Sequence, residues 1–244
     1  MTQLEIGPTL ERIVPDALDL EDPEDLTTRR LHLERYQFAA RHLRPGRVLD
    51  IACGVGYGSR LLADAGSEQT TVLGVDVSRH AVDYARRRYR RNGVEFLVCD
   101  AMSFHDPEGF DSIVTLETIE HLADPRGFAT RLGRLLGPGG VLVASVPITQ
   151  STDLNPHHLH DFDEVSFGVL FESFGLSRVA TLRQSQSFGF ASLLRRRGSR
   201  LSQIRSGLMS YYRSHPVALL RRLKTTLRHG STVRYLTCVW RDVA

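Results

Sequence analysis

The chain has 244 residues, 41% of them hydrophobic and 24% charged, which fits one large globular domain and excludes a collagen, a coiled coil or a disordered tail. No window approaches eighteen consecutive apolar residues, and the polar, acidic stretch from Met1 to Asp25 lacks the layout of a secretion signal. The expectation is a cytoplasmic protein without a membrane span. Three widely spaced cysteines, Cys53, Cys99 and Cys238, suggest neither a disulfide framework nor a metal knuckle.

The net charge of +3 conceals a split. Residues 191–244 carry twelve Lys or Arg against one acid, a net +11, whereas residues 1–190 carry nineteen bases and twenty-seven acids, a net −8. Such a split points to an acidic partner for the C-terminal part or to an acidic face on the protein's own body. Lys224 is the only lysine, so arginine abundance alone is no sign of phosphate recognition.

From residue 30 onward, apolar β-branched runs alternate with helical patterns, the pattern of a parallel sheet covered by helices on both faces. Leu31 to Leu43 reads as a helix, Arg47 to Ala52 as a buried strand ending at Gly54, and Tyr57 to Ala65 as the next helix. Thr71 to Val75 is a second strand, Ser78 caps a helix running to Arg91, and Val94 to Cys99 is a third strand. Phe110 to Leu116 is a fourth strand. Phe128 to Leu136 is a helix stopped by the turn Gly137-Pro138-Gly139-Gly140, and Val141 to Val146 is the fifth strand.

The alternation then changes. Asp163 opens a helix ended by Gly175, Leu176 to Leu182 is a sixth strand, and Val233 to Val239 alternates like a strand pairing antiparallel with it. Between them, residues 186–231 place Leu201, Ile204, Leu208 and Tyr211, then Leu220, Leu223 and Leu227, at helical spacing. This predicts an insert of two or three helices, broken near Pro216. The expected organisation is an N-terminal segment over 1–28, a cofactor-binding core over 29–185, a basic helical insert over 186–231 acting as lid or dimer contact, and a final core strand over 232–244.

Three strand ends carry the chemistry. The stretch VLDIACGVGYG from Val48 to Gly58 runs a strand into a glycine-rich turn that opens a helix, where backbone and ligand approach closely and freed N–H groups face the ligand. Its spacing is GxGxG, with Ser59 where a dinucleotide fingerprint wants a third glycine, which argues against NAD. Asp76 ends VLGVD, where a carboxylate accepts ribose hydroxyls, and Asp100-Ala101 ends VEFLVCD, placed to meet an adenine amino group. As isolated features, either Asp would be a turn or cap residue.

In order and spacing these motifs, with FDSIVTLETIEHL and GPGGVLVASVP after them, resemble the core of the class I S-adenosylmethionine-dependent methyltransferases from about His32 to Val146. The resemblance implies a Rossmann-like seven-stranded sheet with an antiparallel last strand. Ala52, Gly54 and Gly56 would cradle the cofactor's methionine side, Asp76 and Val77 its ribose, and Asp100 with Ala101 its adenine. The helix LHLERYQFAARHL is similar to the family's leading helix, so Arg35 and Tyr36 would close over the methionine end, or Tyr36 would pack into the core.

Methyl transfer to an alcohol requires alignment and removal of the hydroxyl proton. The candidates are Glu117, Glu120 and His121 after the fourth strand, and the run Asn155 to Phe162, with three histidines in four residues, after the fifth. The ExxEH motif resembles ubiquinone-type O-methyltransferases and, with a later histidine, the metal-binding set of small-RNA 2′-O-methyltransferases. On that likeness Glu117, Glu120, His121 and one of His157, His158 or His160 would hold Mg or Mn; otherwise Glu117 lines the cofactor pocket and no metal binds.

The NPxHxxxF pattern of Asn155, Pro156, His158 and Phe162 is similar to methyltransferases of surface glycans and sugar-bearing natural products. That makes His158 the first choice for the base, with His121 and Glu117 beside it. The function expected is methyl transfer to a hydroxyl of a small molecule, a sugar or glycosylated natural product, with phosphate on the acceptor as one option for the insert's arginines. A metal-dependent RNA 2′-O-methyltransferase and a non-catalytic binder of S-adenosylmethionine are the alternatives. The insert's arginines read first as a solvated helical face with salt bridges to the acidic core; nucleic acid and an anionic membrane surface are disfavoured because aromatics other than Tyr211 and Tyr212 are scarce in the basic segment.

Overall fold

The structure, a computed structural model, describes residues 13–188 and 205–242. Leu201, Ile204 and Arg195 to Arg200 therefore lie outside the described residues. Seven strands form one mixed sheet: β1 (Arg47–Ile51), β2 (Thr71–Asp76), β3 (Val94–Val98), β4 (Phe110–Leu116), β5 (Leu136–Pro147), β6 (Leu176–Ser187) and β7 (Thr232–Asp242). Their spatial order is β3-β2-β1-β4-β5-β7-β6. The first five are parallel, and β7 runs antiparallel between β5 and β6. The sheet thus has the seven strands and antiparallel last strand expected from the sequence.

The strand period of two sorts side chains onto two faces. Leu49, Ile51 and Val75 pack with Phe128 and Leu132 of α4 (Pro125–Leu135) and with Phe167 and Phe171 of α5 (Glu164–Glu172). Val48, Val72 and Val114 pack on the other face with Phe38 and Ala39 of α1 (Pro23–Ala40) and Leu62 of α2 (Tyr57–Ala65). Val82 and Ala85 of α3 (Arg79–Arg88) close over Phe96 of β3. Trp240 of β7 is fully buried, its ring edge-on to Phe167 and tilted on Phe171, which locks the antiparallel hairpin onto the core.

The predicted turn at Gly137 to Gly140 lies inside β5, where Gly139 has φ +63° and the pairing with β4 shifts register between Phe110 and Ser112. Helix α1 starts at Pro23, eight residues before the predicted Leu31, so the expected boundary at 28/29 falls within it. The Asp22 carboxylate caps it by accepting from the Glu24 and Asp25 amides, and Pro23 takes the first helical position. Strand β6 runs five residues past its predicted end at Leu182, through Arg183, Gln184, Ser185 and Gln186 to Ser187.

Among the described residues, two helices fall in the segment expected as an insert: α6 (Leu208–Ser214) and α7 (Pro216–His229), with Pro216 at the first position of α7. No helix among the described residues is long and apolar enough to cross a membrane.

Candidate active site

The turn after β1 is built from left-handed backbone. Ala52, Gly54 and Gly56 have φ of 63°, 58° and 84°. Glycine adopts this region freely, while Ala52 carries strain of order 1–3 kcal/mol. Each glycine in the motif has its own reason. Gly54 takes the left-handed φ of 58° that lets its amide donate to Asp76 Oδ2 at 2.8 Å. A Cβ on Gly56 would meet Ala85 Cβ and the Phe96 ring at 2.6 Å, and one on Gly58 would sit 1.9 Å from the Tyr36 ring. Asp76 also accepts from the Ser78 amide at 2.8 Å, so one carboxylate joins the turn after β1 to the start of α3.

Beneath the turn lies Asp50, buried near the C-terminal end of β1. Ser59 Oγ donates to its Oδ2 at 2.6 Å, and the Tyr36 hydroxyl donates to the same carboxylate at 3.3 Å. Burial pushes the Asp50 carboxyl up to about 7, against the opposing effect of the Ser59 and Tyr36 hydrogen bonds, and the nearby Asp76 charge adds to the rise. Burial likewise raises the Tyr36 hydroxyl well above its ordinary value, with Asp50 adding to it.

A cavity of about 300 Å³ opens above these residues. Of the predicted cofactor contacts, Tyr36, Ala52, Gly54, Asp76 and Val77 line it, as do Asp100 and Ala101 from the end of β3. Gly56 does not; its place is the packing under α3. Tyr36 both lines the cavity and packs into the core, edge-on to Tyr57. His32 was missed by the sequence reading. It stands one helical turn before Tyr36, shares its face of α1, lines the same cavity and hydrogen-bonds the Tyr57 hydroxyl at 3.1 Å through Nδ1.

A second cavity, about 240 Å³, lies between the β4 and β5 loops and the α7–β7 junction. Ile13, His32, Glu117 and His121 line both cavities and form the wall they share. His158 and Asn155 line the second, together with Ser151, Gln150, Tyr235 and Thr226. Glu117, at the end of β4, has φ 52°, the other described non-glycine residue in the left-handed region. Ser145 of β5 holds it there: the Ser145 hydroxyl donates to Glu117 Oε1 at 2.7 Å and accepts from the Glu117 amide at 3.0 Å. Arg35, only 1% exposed, places Nη1 3.6 Å from the same Oε1, stacks on Tyr235 and donates through Nε to Gln184.

The predicted acid and histidine set divides. Glu120, His121 and His158 converge, with one ligand atom from each within 4.8 Å of the others. Glu117 is outside this trio, engaged by Ser145 and Arg35. The His121 and His158 rings meet edge-on at 4.6 Å between centroids. His158 Nδ1 lies 2.6 Å from Ser151 Oγ, and His121 Nδ1 lies 3.2 Å from the His157 carbonyl. Neither His157 nor His160 lines a cavity with the trio; His160 packs against Phe162 and its amide donates to the Glu120 carbonyl.

The helical segment is anchored to the histidine loop by Asp153, which is fully buried. Arg222 of α7 pairs with both its oxygens and donates to the Gln150 carbonyl, and the Tyr212 hydroxyl donates to Asp153 Oδ2 at 2.7 Å. Arg205 donates to the Asp153 and Thr152 carbonyls. Burial and then the Asp153 hydrogen bond push the Tyr212 hydroxyl up to about 12.

Comparison with known proteins agrees with this geometry. Residues 49–144 match the family model described as a methyltransferase domain. A Mycolicibacterium smegmatis protein named "Probable S-adenosylmethionine-dependent methyltransferase" is 33% identical over 69% of this chain and 66% of its own length. The O-methyltransferase rstn1 of Aspergillus nomiae is 31% identical over 62% of this chain and 68% of its own. The chain spans just under two thirds of the mycobacterial relative's length. The crystal structure of the N-methyltransferase NodS from Bradyrhizobium japonicum, in complex with S-adenosyl-L-homocysteine, superposes with a TM-score of 0.61 over 92% of this chain and 90% of that one, at 18% identity, which speaks to the fold alone.

The cavity at the ends of β1–β3 fits that family's cofactor on its own terms: a left-handed turn that only small residues allow, and carboxylates from Asp76 and Asp100 at the next two strand ends. Sheet order, matched domain and relatives agree, and the chain belongs to the class I S-adenosylmethionine-dependent methyltransferases.

Proposed function

We propose that this protein moves a methyl group from S-adenosylmethionine to a hydroxyl of a small molecule, a sugar or a glycosylated natural product. The observation that carries the reading is the wall shared by the two cavities at Glu117 and His121, with His158 beside it on the acceptor side. A displacement needs donor and acceptor in line, and two pockets on either side of one wall give each its place.

Bound in the first cavity, S-adenosylmethionine would supply an electrophilic methyl on its sulfonium. The chain's residues do the rest. Asp76 would accept from the ribose hydroxyls, and Asp100 and Ala101 would frame the adenine. In the second cavity, His158 would take the acceptor's proton, its ring oriented by Ser151. An amine acceptor mainly needs to be held neutral before attack, whereas a hydroxyl must lose its proton during it, so two imidazoles here favour a hydroxyl. The mixed lining of Gln150, Ser151 and Asn155 with Leu154 and Val233 suits a polyhydroxy group carrying apolar substituents. The test is mass-spectrometric detection of a methyl on sugar-bearing acceptors, with amine analogues as the comparison; methylation of the amines alone would overturn the hydroxyl reading.

The convergence of Glu120, His121 and His158 favours a second reading, in which the trio holds a divalent cation of the Mg or Mn type that orients the acceptor hydroxyl. The two readings use His158 differently, since a ring nitrogen bound to metal cannot also take a proton. Turnover that persists in chelator supports the base, and turnover restored by added Mn supports the metal.

A further inference from the structure

Helix α7 has two unlike faces. Inward, Arg222 pairs with Asp153, and Thr226 lines the acceptor cavity. Outward, Leu220, Leu223 and Leu227 are 67%, 51% and 89% exposed and fall on one stripe of the helix, with Val217 at 59% beside them and Met209 of α6 at 79%. A single exposed leucine is ordinary in a folded domain; a run of them along one helix is not. Arg221 and Lys224 lie along one edge of the stripe, both exposed, and Arg213 is exposed on α6. Residues 205–229 contain no Asp or Glu at all.

We propose that the outer face of α6 and α7 docks on an anionic lipid surface. Charge and apolarity together choose the occupant. Leucines edged by cations, with no acid on the helix, suit an interfacial position in which the side chains of Leu220, Leu223 and Leu227 enter the acyl boundary while Arg221 and Lys224 meet phosphate headgroups. A second copy docking the same face on itself would bring Arg221 and Lys224 against like charges around the two-fold axis. The inference does not depend on methyl transfer, but it has a consequence for it. Because α7 lines the acceptor cavity with its other face, docking sets that cavity beside the headgroup layer, where an acceptor carrying a lipid or other apolar tail resides.

The experiment is sedimentation of the full chain with vesicles of pure phosphatidylcholine and with vesicles in which about a third of the lipid is phosphatidylglycerol. The protein should sediment with the anionic vesicles, less so at high salt, and stay in solution with the neutral ones. The triple change Leu220→Ser, Leu223→Ser, Leu227→Ser, and separately Arg221→Glu with Lys224→Glu, should each reduce partitioning by roughly tenfold or more. Calorimetry with S-adenosylhomocysteine shows whether these variants fold, and the single change Leu227→Asn, at the most exposed position, serves if the triple variant does not. Failure of the wild-type chain to bind anionic vesicles overturns the proposal, as does binding that survives both sets of changes. A dimer that the leucine changes convert to monomer, without vesicle binding, also overturns it and assigns the face to a second copy.

Discussion

The partly buried Arg222 pairs with the fully buried Asp153 across 69 residues of sequence, and through this pair the basic helices are tied to the loop that carries His158. A fully buried carboxylate left without its partner keeps the desolvation cost and loses the compensation. Arg222→Met should therefore weaken the docking of α6 and α7 by about 3 kcal/mol, equivalent to roughly a hundredfold faster hydrogen exchange in those helices. Affinity for S-adenosylhomocysteine, whose cavity Arg222 does not line, should be unchanged. Unaltered exchange would show the pair to be dispensable.

Gly58→Ala should destabilise the fold by about 1–3 kcal/mol, because the new methyl group would occupy the position of the Tyr36 ring and force it aside. Denaturant unfolding measures the loss. Since Tyr36 lines the cofactor cavity, affinity for S-adenosylhomocysteine should fall in the same variant.

Asp50 makes stability depend on pH in a direction opposite to that of most carboxylates. Its folded-state value of about 7 lies above the ordinary 3.8, so the folded protein holds a proton that the unfolded chain has lost. Its contribution is fully present below about pH 4, declines as pH rises towards 7 and is flat above that. Wild-type thermal midpoints should carry this falling component, and Asp50→Asn should lack it. Equal slopes in the two proteins between pH 4 and 7 would contradict the assignment.

His158→Ala should lower turnover by roughly a hundredfold or more while leaving S-adenosylhomocysteine affinity intact, since His158 lines the acceptor cavity and not the cofactor cavity. Retained turnover would move the base to His121, which lines both.

Asp76→Ala should weaken S-adenosylhomocysteine binding by about 1–3 kcal/mol through lost hydrogen bonds to charge. The Gly54 and Ser78 amides also lose their acceptor in this variant, so the turn after β1 should loosen as well. Calorimetry reads the affinity.

Strands β1 and β2 were legible because they are short apolar runs that lead into glycine or end in aspartate, and a strand buried on both faces needs little else. The ends of α1 and β6 were not, for one shared reason. Gln184 donates to the Leu31 carbonyl and to Glu34, and Gln186 donates to Thr28, so α1 and β6 are joined through buried polar groups. Each segment looks solvent-exposed until its partner, about 150 residues away, is known. The same holds for Asp153 and Arg222, whose pairing has no local pattern. Ser145 was the one available signal: a hydroxyl within the apolar run VLVASVP needs a partner, and Glu117 supplies it.

Calorimetric titration of the purified chain with S-adenosylhomocysteine tests the central claim most directly. The cavity at the ends of β1, β2 and β3 should take up one molecule per chain with a dissociation constant on the order of micromolar. No heat of binding at millimolar ligand, from a chain shown to be folded, would contradict it.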